Sequence, residues 1–156
     1  MDEEKRQRAL EVYGTLCDML DRNEWNYQKD DENLTISCGA RGDDLPMDIT
    51  IRVIDKVEII MLQSRLPFVI SEDARLDTAI AVSIVNNRLV SGCFDYNLQT
   101  GNMSFRMTSS YRESVIGAES LNYMLKVSCY TIDEYNDKFL MLSKGLISFQ
   151  DFLPKE

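Results

Sequence analysis

Hydrophobic positions recur with a helical period in three stretches of the chain. Residues 3 to 24 predict an amphipathic helix, residues 72 to 88 a second and residues 118 to 144 a long third. Gly145 directly after the third stretch is a helix-stop signal. The side chains expected to face the core are, in the first helix, Leu10, Tyr13, Leu16, Cys17 and Leu20; in the second, Leu76, Ile80, Ile84 and Val85; in the third, Leu121, Leu125, Cys129, Ile132, Tyr135, Phe139 and Leu142.

Strict alternation of apolar and polar residues predicts strands between the helices. Three strands are predicted between the first two helices, around Ile36, Ile51 and Ile59, and a short extra strand is possible at residues 26 to 29. The strand from Val57 to Leu62 is apolar on both faces, which favours a central strand covered on both sides or a face used for association. A hairpin follows the second helix, with strands over residues 90 to 96 and 103 to 108 and Gly101 at a positive-φ turn position.

The element order is therefore α-β-β-β-α-β-β-α. This order predicts an α+β fold with a mainly antiparallel sheet packed by helices. No linker, internal repeat or low-complexity tract interrupts the 156 residues, so we expect residues 1–156 to form one domain.

Charge narrows the choice of partners. The chain has 17 Lys and Arg residues against 26 Asp and Glu residues, a net charge of −9. This acidity disfavours nucleic acid and anionic membranes, both of which are bound by clustered cations. The chain also has no apolar stretch long enough to span a bilayer and no signal-peptide pattern at Met1, which predicts a cytoplasmic protein.

The residue inventory offers no recognisable catalytic constellation. Histidine is absent, which removes His-dependent triads and His metal ligands. The four cysteines are far apart and are interpreted as buried thiols, with Cys93 the only one worth testing as a nucleophile. Catalysis by a carboxylate pair stays open, because no spacing singles out two of the many acids. We assign no catalytic residue and no cofactor.

Two acidic clusters and the glycines are the remaining features that could form ligand sites. Residues 30 to 32 and the group Asp43, Asp44 and Asp48 could offer oxygen ligands to a hard cation, but the spacing of a calcium loop is absent. Solvated loop tips are the favoured interpretation, and no metal site is assigned. No phosphate-binding glycine pattern is present.

A set of methionine and aromatic residues in the second hairpin supplies the candidate partner-binding residues. Such side chains can form an adaptable apolar surface; the candidates are Phe94, Tyr96, Met103, Phe105 and Met107. The favoured alternative is ordinary core beneath a helix, in which case the opposite face of these strands is the one to inspect for partner contacts.

Particular residues in this region resemble the YbjN-like family of bacterial proteins. The resemblance covers about residues 66 to 146 and is carried mainly by structural residues. They are Leu66-Pro67, Arg75, the run from Asn86 to Asp95, Gly101, Phe105-Arg106, Asp133-x-Tyr135 and Gly145. We expect Gly92 to let a helix approach, Asn86 or Asn87 to cap a helix end, and Phe94 to fill the core.

The resemblance implies the fold shared with type III secretion chaperones, which are small, acidic and commonly dimeric. The family has proposed roles in sensing or regulation and no agreed catalytic residues. The leading hypothesis is thus a non-enzymatic cytoplasmic protein-binding module, a regulator or adaptor, which forms a homodimer and binds a protein partner. The alternatives are a dedicated secretion chaperone for an effector, and a small-ligand sensor or enzyme using carboxylates or Cys93.

Overall fold

The computed structural model describes residues 2–156 and has three long helices. These are α1 (Asp2–Arg22), α2 (Arg75–Arg88) and α3 (Ala118–Ser143), with short 3₁₀ turns at Glu72–Ala74 and Phe149–Phe152. Acidic residues in the first turn of α1 suit the positive end of its dipole. Gly145 has a φ of 73° directly beyond α3, which confirms the helix-stop signal.

Six strands form one antiparallel sheet. They are β1 (Tyr27–Asp30), β2 (Thr35–Arg41), β3 (Pro46–Ile54), β4 (Ile59–Arg65), β5 (Cys93–Tyr96) and β6 (Met103–Ser110). Their order across the sheet is β1-β2-β3-β4-β6-β5. The predicted α+β class and element order are confirmed, and the short extra strand is real as the edge strand β1. The doubly apolar strand β4 is central in the sheet, but helices cover only one of its faces, so the expectation of a strand covered on both sides is wrong.

All three helices pack on one face of this sheet. Alternate strand residues on that face are buried in a single hydrophobic cluster with α1, α3 and the inner side of α2. The buried strand residues are Ile36, Cys38, Met47, Ile49, Ile51, Val53, Ile60, Leu62, Ser64, Phe94, Met103, Phe105 and Met107. Antiparallel sheets commonly keep one face on the core and one in solvent, and this sheet follows that arrangement.

The buried face of α2 agrees with the prediction only in part. Val85 is buried and Ile84 is partly buried, as expected, but Leu76 and Ile80 are 71% and 43% exposed. The other buried residues are smaller: Thr78, Ala81 and Val82. Apolar residues lie on both sides of this helix, so periodicity alone does not select the buried side. Small side chains let α2 approach the rest of the core closely. In α1, Leu10 is likewise 43% exposed, although Tyr13, Leu16 and Leu20 are buried as expected.

Two strands begin later than predicted. Val57 lies in the turn between β3 and β4, and Val90 is almost fully exposed before β5. Gly92, with a φ of 75°, approaches the Phe105 ring and the Arg106 carbonyl of β6 and does not meet a helix. Gly101 has a φ of 76°, which confirms its turn position.

The buried carboxylate of Glu58, in the turn between β3 and β4, connects α1 to the segment that follows β6. Glu58 is 3% exposed and contacts Arg8 of α1 and Arg112, which follows β6, at 3.4 Å. Its backbone carbonyl also accepts the Tyr111 N–H at 3.0 Å. The bond from Arg8 is the main reason that the pKa of Glu58 is lowered.

Candidate functional site

The face of the sheet opposite the helices is the candidate functional site, and we call it the open face. Among residues 2–156 no helix covers it and none of its side chains is buried. From β1 to β5 in sheet order, it is formed by Gln28, Asp30, Thr35, Ser37, Gly39, Arg41, Pro46, Asp48, Thr50, Arg52, Ile54, Ile59, Met61, Gln63, Arg65, Ser104, Arg106, Thr108, Ser110, Cys93 and Asp95.

One end of the open face is apolar. Ile54 lies directly opposite Ile59 on the neighbouring strand, and Met61 follows on the same face of β4. All three side chains are partly exposed. Cross-strand aliphatic pairs stabilise a sheet, but here they also leave apolar area in contact with water. This apolar end corresponds to the second apolar face noticed in the sequence.

The other end is polar and contains a cavity of about 510 Å³. Side chains from β3, β4 and β5 line it together with the turn between β5 and β6, and they include Arg52, Gln63, Arg65, Asp95 and Asn102. The Arg65 guanidinium donates a hydrogen bond to the Asn102 side-chain oxygen. Cavities of this size on proteins accommodate small organic molecules.

Asp95 and Arg106 form a bidentate ion pair beside this cavity. The Arg106 Nε and Nη2 atoms lie 2.7 and 3.1 Å from the two carboxylate oxygens of Asp95. The hydrogen bond from Arg106 lowers the pKa of Asp95. The Cys93 thiol lies 3.7 Å from Asp95 and 3.6 Å from Arg106, and burial, followed by the Asp95 charge, raises its pKa. This environment keeps the thiol protonated, so it does not create an activated nucleophile.

The structure places four of the five candidate partner-binding residues in the core. Phe94, Met103, Phe105 and Met107 are at most 5% exposed. The Phe94 ring packs edge-on against Phe105 and against Phe139 of α3, both at 5.3 Å between ring centres. These four residues are therefore not a free partner-binding surface; their burial agrees with the favoured interpretation of ordinary core.

Tyr96 differs from these four because it is partly exposed. Its hydroxyl donates to the Arg75 carbonyl at 3.0 Å, and its side chain lines the polar cavity. A contact between Tyr96 and a partner stays a prediction.

The acidic clusters do not assemble into a cation site. Asp133 of α3 accepts the Asp43 backbone N–H at 2.9 Å, and the neighbouring Asp137 charge is the main reason that the pKa of Asp44 is raised. Across residues 2–156, no group of three or more Cys, Asp or Glu residues could hold a metal ion. No helix in the same part of the chain is long and apolar enough to cross a membrane.

The residues that shape the open face were not singled out from the sequence. Arg52, Arg65 and Arg106 each occupy the polar position of an alternating strand, and alternation alone marks them only as solvent-facing. The sheet order brings them together, because β4 lies between β3 and β6 although β6 follows it by almost 40 residues. Two patterns in the sequence indicate this face: the second apolar face of β4, and the side of β5 and β6 opposite Phe94 and Phe105, which is the side expected to make partner contacts if those residues are core.

The chain is thus an α+β protein with a one-sided, six-stranded antiparallel sheet and three helices. No protein-family model and no curated protein matches the chain. Among solved structures, the chain is similar to YbjN, a proposed transcription regulator from E. coli, with a TM-score of 0.58 and 16% identity. The match covers 81% of this chain and 92% of that one.

Two further similar structures come from protein complexes. A chain of the ExsC–ExsE complex has a TM-score of 0.53 at 12% identity, covering 81% of this chain and 92% of its own. A chain of the HopA1–SchA chaperone–effector complex has a TM-score of 0.53 at 13% identity. The match covers 84% of this chain and 94% of that one. The YbjN-like, secretion-chaperone-like fold implied by the resemblance is thus confirmed.

Proposed function

We propose that this protein is a non-enzymatic, cytoplasmic protein-binding module, a regulator or adaptor of the YbjN-like kind, that holds a segment of a partner protein on its open face. The observation that carries the proposal is the uncovered apolar end of that face, formed by Ile54, Ile59 and Met61. Burying these side chains under a partner contributes favourable free energy, at roughly 25 cal/mol per Å² of apolar area removed from water.

The partner segment fitting this surface is one with apolar side chains beside polar ones. The polar rows of the open face adjoin its apolar end on the same strands, so such a segment finds hydrogen-bonding groups next to an apolar contact. The similar HopA1–SchA structure is described as a chaperone–effector complex, which supports a polypeptide as the occupant. The net charge of −9 favours solubility and counteracts non-specific aggregation through the exposed apolar end.

Co-purification with matched variants tests the proposal. A tagged wild-type protein is expected to retain a stoichiometric protein partner from its native host, identified by mass spectrometry. The substitution Met61→Asp puts a charge at the apolar end and should abolish retention. Val115→Asp is the control, because Val115 is 97% exposed in the loop between β6 and α3 and is not part of the open face. Circular dichroism checks that both variants remain folded. Retention by Met61→Asp, or no partner for the wild type, would overturn the proposal.

A dedicated secretion chaperone is the second candidate, and the likeness to a chaperone–effector complex favours it. The same experiment separates the two readings by the partner's identity. An effector encoded beside a secretion apparatus would establish the chaperone, whereas an endogenous regulatory protein would establish the adaptor.

The homodimer expected from the sequence is tested by light scattering of the purified protein. A pair of chains would give twice the 18.0 kDa of one chain. A mass of 18.0 kDa at every concentration would rule out self-association and leave the open-face proposal intact.

A further inference from the structure

Arg52 and Arg65 on the open face both lack the kind of ion pair that Arg106 makes there. Within residues 2–156, no carboxylate oxygen lies within 4.0 Å of the guanidinium nitrogens of Arg52 or Arg65. Arg106, by contrast, is paired with Asp95. Both unpaired arginines line the polar cavity.

The sheet register places these two arginines at opposite ends of the cavity floor. Thr50 and Gln63 lie directly opposite each other on β3 and β4, and both line the cavity between the arginines. Arg52 pairs with Met61 on one side of them, and Arg65 pairs with Asp48 on the other. Four residues along a strand and one strand across put the two Cα atoms about 14 Å apart. Two long side chains can therefore reach a single small ligand from both ends.

Hydrogen-bonding groups fill the space between the arginines. The Thr50 hydroxyl and the Gln63 amide line the cavity between the two arginine positions, and Asn102 lines it beyond Arg65, from which its side-chain oxygen accepts a hydrogen bond. Guanidinium groups bind carboxylate and phosphate oxygens through paired N–H donors. A volume of about 510 Å³ suits a metabolite-sized molecule.

We propose that the polar cavity binds a small organic dianion, with one carboxylate or phosphate group held by Arg52 and the other by Arg65. Asp95 does not oppose such a ligand because Arg106 neutralises it. Asp48 does oppose it, since its carboxylate lies on the strand position facing Arg65 and has no cation within 4.0 Å among residues 2–156.

The test uses the purified full-length chain and three probes at matched ionic strength: adipate, hexanoate and pyrophosphate. Adipate has two carboxylates and hexanoate only one, so adipate should bind at least tenfold more tightly by calorimetry. A probe at ten times its Kd multiplies the folded-to-unfolded ratio about elevenfold. For a chain of this size the melting temperature should then rise by about 3–6 °C. Pyrophosphate reports whether phosphate replaces carboxylate as the bound group.

Variants assign the binding to the two arginines. Arg52→Gln and Arg65→Gln should each weaken adipate binding at least tenfold, and Asp48→Asn should strengthen it. Arg41→Gln is the matched control: it removes the same charge from the same face, but Arg41 lies outside the cavity. Circular dichroism confirms that each variant is folded.

Three results would overturn the proposal. One is that neither adipate nor pyrophosphate raises the melting temperature beyond sodium chloride at the same ionic strength. Another is that Arg41→Gln weakens binding as much as the two cavity variants. A third is that hexanoate binds as tightly as adipate, which would show that the second carboxylate makes no contact. The experiment needs no protein partner, so its failure leaves the proposed function standing.

Discussion

The side-chain amide of Asn86 hydrogen bonds to both backbone groups of Phe94. Its Oδ1 accepts the Phe94 N–H at 2.8 Å and its Nδ2 donates to the Phe94 carbonyl at 3.0 Å. These groups point away from β6, so a side chain of α2 occupies the place that a further strand would take. Unpaired edge groups are templates for strand addition. Asn86 therefore closes the middle of this sheet edge and fixes α2 against β5.

We predict that Asn86→Ala destabilises the fold. The substitution leaves two backbone groups of Phe94 without partners, and each such loss costs about 1–3 kcal/mol if water does not replace it. Urea unfolding should show a free energy of unfolding lower by at least about 1 kcal/mol. Asn87→Ala is the control, because Asn87 is the exposed neighbour on the same helix turn. Equal losses in both variants would contradict the role given to Asn86.

Local patterns were sufficient for the element order but not for contacts between distant elements. The alternation of Met103, Phe105 and Met107 predicted a strand with one apolar face, and that face is core. The role of Asn86 was expected at the end of α2, because a short polar residue near a helix terminus usually caps it. Its real partner belongs to the next strand, and only the packing of α2 on β5 brings the two together.

The ion pair of Glu58 likewise could not be predicted from local sequence patterns. In the sequence Glu58 is one acid among many in a turn, and its partner Arg8 lies 50 positions away. No spacing rule connects them, so a buried ion pair could not be predicted there. The cavity of the open face depends in the same way on β6 pairing with β4.

Acidification should weaken the fold through Glu58. The Arg8 bond lowers the pKa of Glu58 in the folded chain, whereas the unfolded chain keeps the ordinary value of about 4.3. As the pH falls, the unfolded state takes up this proton first. The stabilisation is therefore complete above the unfolded pKa and is lost as the pH falls through the folded pKa.

Denaturant unfolding between pH 7 and pH 3 measures this contribution. Glu58→Gln should be less stable than the wild type at pH 7 and should lose less stability on acidification. Glu24→Gln is the control, since Glu24 and Glu58 both have a positive φ but Glu24 is exposed. If the Glu24 and Glu58 variants follow the same pH profile, the buried ion pair is not the cause.

The thiol of Cys93 should be slow to react. Burial and the Asp95 charge raise its pKa, and only the thiolate is alkylated efficiently. We expect native Cys93 to react with iodoacetamide at pH 7.5 more slowly than in the urea-unfolded chain. Asp95→Asn removes the adjacent negative charge and should increase the native rate a few-fold.

Mass spectrometry of the peptide containing Cys93 reports this rate without removing the other cysteines. Asp48→Asn is the matched control, because it removes a carboxylate from the same face without a hydrogen bond to the thiol. A native rate that exceeds the unfolded one would reveal an activated thiol and would revive a nucleophilic role for Cys93.

Two glycine-to-alanine substitutions should change stability in opposite directions. Gly92 has a φ of 75°, and an added Cβ would overlap the Phe105 ring and lie 3.0 Å from the Arg106 carbonyl oxygen. Gly92→Ala should therefore cost more than about 1 kcal/mol of unfolding free energy.

Gly14 lies within α1 with nothing within 4 Å of an added Cβ. Gly14→Ala should raise the unfolding free energy by about 0.5–1 kcal/mol, since alanine favours the helix. Urea titration of both variants beside the wild type measures the two changes, and a Gly92→Ala protein as stable as the wild type would show that the approach to β6 is not a tight one.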